Sequence, residues 1–134
     1  MQLSRLSRLP VLLALALLAL GLGACSDSPA KIHKDQISAM EEVTQILEKV
    51  ADGSLSSADA AAKIGELDTK FDKLKARAEK LGSEKMKEKP EKEMQEKMGK
   101  AVRDMMGAMV KVQTSGRGTK ELTDAITNMG TTEP

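Results

Sequence analysis

Four stretches of this chain carry apolar residues at helical spacing, and none alternates apolar and polar positions as a half-buried strand would. In the first, Met40, Val43, Leu47 and Val50 recur at 3-4-3 spacing, and Ile32, Ala39 and Ile46 widen the stripe. This predicts a helix from Pro29 to Ala51. Ser28 serves as its N-cap, Pro29 takes its first position, and Asp52-Gly53 closes it. In the second, Ala60, Ile64, Leu67, Phe71, Leu74, Ala78 and Leu81 make a seam of three heptads. Ser56 or Ser57 caps it and Gly82 stops it. In the third, Met98, Val102, Met105, Met109 and Val112 form a seam that runs to about Gln113, broadened by Ala101, Met106 and Ala108. Pro90 marks either its start or a kink after one short turn from Ser83. In the last, Leu122, Ile126 and Met129 share one face of a short helix capped by Thr119. A flexible break at Ser115-Gly116-Arg117-Gly118 precedes it, Gly130 closes it, and residues 131–134 are a loose tail.

These elements predict an all-α fold over residues 31–130. The expected architecture is a small antiparallel three-helix bundle with a short C-terminal fourth helix padding an open edge. Helices of roughly 22 residues would be about 33 Å long. The core they can build is thin, because Ala and Met are common and Phe71 is the only aromatic residue. Marginal stability or self-association is the expected consequence. Gly99 and Gly107 lie inside the third helix, where each costs about 1 kcal/mol against Ala. A neighbour approaching closely at these two positions would account for them.

Between the second and third seams the pattern changes. Lys and Glu fill 11 of the 18 positions from 83 to 100. Glu88–Lys92, Glu93–Lys97 and Glu96–Lys100 are spaced i,i+4 in the favourable order. The stretch reads as a solvated helix, with a charge-driven docking surface as the alternative.

The N-terminal residues follow a different logic. Arg5 and Arg8 precede an uncharged run, Leu9 to Ala24, that ends in small residues. This is a secretory signal pattern, shorter than the roughly 20 apolar residues of a membrane span. Cys25, the only cysteine, follows at once, so no internal disulfide can form.

Leu22-Gly23-Ala24-Cys25 resembles the lipobox of bacterial lipoproteins: an aliphatic residue, two small residues, then Cys. Gly23 departs slightly from the Ala or Ser more usual at its position. The resemblance implies that the Cys25 thiol receives a diacylglycerol. It also implies that signal peptidase II removes residues 1–24 and that the new N-terminus is acylated. Residues 25–30 would then be a lipidated tether. Its five residues after Cys25 span at most about 17 Å. Each buried methylene contributes about 0.8 kcal/mol, so two or three acyl chains hold the protein almost permanently. Ser26 stands where many lipoproteins kept at the inner membrane carry Asp. By the same resemblance the protein belongs in the bacterial cell envelope, at the outer membrane and facing the periplasm. In a general way residues 31–134 resemble small helical lipoproteins of bacteria, a likeness that implies no activity.

Charge and composition narrow the function. Without Arg5 and Arg8 the chain keeps 19 basic against 20 acidic residues, so nothing favours nucleic acid as a partner. Trp and Tyr, which stack on bases and sugars, are missing. His33 is the single histidine and falls on the inner face of the first helix, as an ordinary partly buried residue would. Met86, Met94, Met98, Met105, Met106 and Met109 crowd into 24 residues. Thioethers select Cu(I), but Met is also the gap-filler of cores without aromatics. Packing is the leading expectation, ahead of an adaptable groove for a partner and a copper site. Glu41-Glu42 and Asp68–Asp72 pair carboxylates on a surface already rich in charge. Ser115-Gly116-Arg117-Gly118 lacks the strand–loop–helix setting and the Lys of a P-loop.

The sequence therefore points to a non-enzymatic lipoprotein without cofactor or metal. Its bundle would act by contact with itself, with another envelope protein or with the membrane surface. The alternative is a periplasmic methionine-based copper or stress-related binding protein.

Overall fold

A computed structural model describes residues 27–129. The expected signal segment, residues 1–24, Cys25 with Ser26, and the tail from Gly130 lie outside the described residues. The chain forms five helices: α1 (Pro29–Asp52), α2 (Ser57–Leu81), α3 (Ser83–Met86), α4 (Lys92–Thr114) and α5 (Lys120–Asn128). No strand occurs among the described residues.

Local chemistry sets the boundaries. Ser28 is extended, and its hydroxyl accepts a hydrogen bond from the Lys31 N–H at 3.2 Å, satisfying one of the unpaired donors that open α1. Gly53 ends α1 in the left-handed conformation, φ 87°, with its N–H on the Val50 carbonyl. Ser56 caps α2 by accepting from the Asp59 N–H, and Thr119 caps α5 by accepting from the Leu122 N–H. Gly82, at φ 86° and ψ 148°, turns the chain out of α2 through a region that only glycine occupies freely. The two readings of Pro90 are thereby decided. The Ser83 turn is a separate four-residue helix, and α4 opens two residues after Pro90, which lacks the N–H a helix interior needs.

Helix α1 is the centre of the structure. Both α2 and α4 pack on it, while α5 packs on α2. Val43, Leu47 and Val50 are fully buried on α1, against Ala60, Ala61, Ile64 and Leu67 of α2, Ala108 and Val112 of α4, and Leu122 of α5. Nearer the start of α1, Ile32 and Ala39 cluster with Leu74 of α2. Ile37 and Met40 cluster with Ala101 of α4. Phe71 packs against all three clusters. Residue numbers run in opposite order along α1 and α2: Glu42 meets Lys70, and Asp35 meets Arg77. Along α1 and α4 they run in the same order. Ile37 and Met40 share a cluster with Ala101, and Glu48 meets Lys111.

Three sequence expectations change. The inner line of α4 is Ala101, Met105, Ala108 and Val112, with Met98 and Met109 beside it. Val102 is 38% exposed and Met106 is 59% exposed. Ala101 and Ala108 are buried against α1, whereas Val102 and Met106 turn outward. The glycines of α4 carry no close approach. A Cβ on Gly107 would meet nothing within 4 Å, and one on Gly99 would meet only Arg103 of its own helix, at 3.4 Å. The break at Ser115–Gly118 is tied down. Arg117 Nη1 donates to the Ala51 carbonyl at 2.6 Å, and the Ser57 hydroxyl donates to the Arg117 carbonyl. Arg117 thus satisfies a carbonyl left open at the end of α1, where a cation is also favoured by the helix dipole.

Candidate functional site

Three places bring chemistry-bearing side chains together. The first is the end of the molecule where α1 begins. The Arg77 guanidinium holds Asp27 by a two-pronged contact. Nε lies 2.9 Å from Oδ2, and Nη2 lies 2.6 Å from Oδ1. Its Nη1 donates to Asp35 Oδ2 at 2.8 Å. The planar fork of Arg suits this paired geometry as Lys would not. Hydrogen bonds from Arg77 hold the Asp27 carboxyl below the usual carboxylate range, against the opposing cost of desolvation. The same bonds to Asp27 and then Asp35 push the Arg77 guanidinium further up. Residues expected to be tether are therefore held: Asp27 is fixed to α2, Ser28 caps α1, and Pro29 and Ala30 are helical.

The second place is the groove between α1 and α2, about 350 Å³, lined by Glu42, Gln45, Lys49, Lys63, Glu66 and Lys70 among others. Lys70 is engaged with Glu42, its Nζ lying 2.6 Å from Oε2. The groove carries side chains of both charges around an apolar floor of Ile46, Leu55 and Leu67. Of the ion pairs expected in the charged stretch, Glu93–Lys97 forms at 2.6 Å, while Lys100 turns to Asp104 at 2.5 Å. Glu88 lies between α3 and α4, so it shares no helix with Lys92.

The third place is the methionine-rich side. The methionines distribute over the core. Met86 packs against the Ile32–Leu74 cluster, Met94 and Met98 against the Ile37–Met40–Ala101 cluster, and Met109 against the large cluster, with Met105 joining the last two. Met106 stands apart on the outer face. Gap-filling describes most of them. His33 is half-buried, as expected, but neither of its ring nitrogens reaches solvent or has a hydrogen-bond partner. A buried polar group left unpaired costs about 1–3 kcal/mol, so this imidazole stands out on a surface otherwise laced with ion pairs. No group of three or more His, Cys, Asp and Glu side chains able to hold a metal ion occurs among the described residues.

Cys25 lies outside the described residues, two positions before Asp27. Sequence reasoning missed Arg77, Asp27 and Arg117. One signal was available: arginine appears at few positions in a chain whose surface cations are mostly lysine, and Arg77 falls beside the α2 seam. Comparison with known protein families, curated proteins and solved structures found no match for this chain. No described helix is long and apolar enough to cross a membrane.

Proposed function

We propose that this protein is a lipid-anchored component of the bacterial cell envelope with a non-enzymatic, contact-based role. Cys25 carries the lipid, and the protein sits at the outer membrane facing the periplasm. The three long helices form an antiparallel bundle with α5 as its short fourth member. The opposed order of the α1–α2 ion pairs supports that arrangement. The bundle acts by meeting a second copy, another envelope protein or the lipid surface, and not nucleic acid.

One observation carries the reading. The lipobox-like Leu22–Cys25 ends two residues before Asp27, and Asp27 is clamped to α2 by Arg77. Two residues of chain span at most about 7 Å. An anchor at Cys25 would therefore present the bundle end-on, with the Asp27–Arg77–Asp35 end against the headgroups and the α1–α2 turn pointing away. A longer free tether would leave the orientation open.

Fractionation of cells expressing the full chain tests this. Wild-type protein is expected in the membrane pellet and resistant to high salt. The Cys25→Ser variant is expected to be soluble or retained as uncleaved precursor. Processing of Cys25→Ser to the same size as wild type, with the same membrane retention, would refute the anchor.

A second reading, a methionine-based copper-binding protein, is favoured by the unpartnered imidazole of His33.

A further inference from the structure

We infer that His33, Met94 and Met98 form a binding site for a single Cu(I) ion at the α1–α4 contact. The inference stands apart from lipidation and survives or fails without it. Helical spacing puts His33 on the same face of α1 as Ile37 and Met40, one turn nearer the N-terminus. That face meets α4, where Ile37 and Met40 cluster with Ala101 and with the side chains of Met94 and Met98. The two helices run in the same order, so one turn back from Ile37 on α1 corresponds to one or two turns back from Ala101 on α4. This is the level of Met94 and Met98, which are spaced i,i+4 and lie on one face. Helical side chains lean toward the N-terminus, which carries all three toward the same end of the contact.

The chemistry fits a soft monovalent cation. Two thioethers and an imidazole are ligands that Cu(I) accepts, while hard cations prefer oxygen. Neither ring nitrogen of His33 is committed to a hydrogen bond, so a lone pair is free for a metal. Both methionines are half-buried rather than sealed, which gives an ion a path from solvent. Met106, exposed on the opposite face, and Met86, in the cluster beside α3, lie outside the arrangement.

The test uses the full chain carrying Cys25→Ser, which removes the thiol as a competing soft ligand. Cu(I) alone is titrated without oxygen against a chromogenic chelator. One ion per chain is expected. His33→Leu, Met94→Leu and Met98→Leu should each weaken binding by about tenfold or more, and Met106→Leu should leave it unchanged. Leucine is close to methionine in volume, so the two methionine variants are expected to keep the fold. Circular dichroism checks this, and they decide the matter if His33→Leu does not fold. X-ray absorption at the copper edge should show sulfur and nitrogen scatterers together. Failure to bind one ion, binding indifferent to the Met94→Leu/Met98→Leu pair, or a copper shell without sulfur would each overturn the site.

Discussion

Arg77 is the side chain that holds the start of α1. Its two aspartate partners come from different places, Asp27 before α1 and Asp35 within it, so one guanidinium joins the entering chain, α1 and α2. The pH dependence follows from the depressed Asp27 carboxyl. A carboxylate held below its ordinary value of 3.8 contributes stability above that value and loses it as pH falls through its native value. Replacing Arg77 by Met should therefore lower the thermal midpoint at neutral pH. The two proteins should converge below pH 3.8 as Asp27 protonates. Melting curves from pH 7 down to about 2 check this; a difference that persists undiminished in acid would point to packing instead of charge. Glycine makes a second residue-scale contrast. Gly107 sits in open space inside α4, so Gly107→Ala should stabilise by up to about 1 kcal/mol. Gly82 holds a positive φ, so Gly82→Ala should cost about 1–3 kcal/mol. Urea titration of both gives the opposite signs directly.

At the scale of elements, α1 and α2 were readable because each carries one apolar stripe with polar residues elsewhere. Their caps, Ser28 and Ser56, sit where the pattern places them. Helix α4 was harder. Its apolar residues go most of the way round, with Ala101, Met105, Ala108 and Val112 inside and Val102, Met106 and Val110 outside. A 4-3 spacing can be traced through Met98, Val102, Met105, Met109 and Val112 as readily as through Ala101, Met105, Ala108 and Val112. Hydrophobicity favoured Val102 over Ala101, but contact with α1 favours the smaller side chain. The observed face makes a prediction: Ala108→Leu overpacks the core and should cost about 1–3 kcal/mol, whereas Val110→Lys should change stability by no more than about 0.5 kcal/mol. Chemical denaturation that ranked them the other way would return the seam to Val102. The tie between Arg117 and the end of α1 was not legible, because it joins residues 66 positions apart and leaves no local pattern. The same holds for the clamp on Asp27, which joins residues 50 positions apart.

The whole molecule is a set of helices arranged around α1, with Phe71 reaching all three apolar clusters. Such a core has little redundancy. Phe71→Ala should destabilise by about 3 kcal/mol, measured by urea unfolding, a large fraction of the stability expected of a domain this small. The function proposed rests on where that body is held. Two positions separate Cys25 from Asp27, which Arg77 holds to α2, so a lipid at Cys25 would fix both the location and the facing of the protein. Intact-mass measurement of the protein recovered from cell envelopes tests this most directly. The account predicts a chain beginning at Cys25 and heavier than its residues by a diacylglycerol and an amide-linked acyl group. A chain beginning at any other residue, or at Cys25 without added lipid mass, would contradict it.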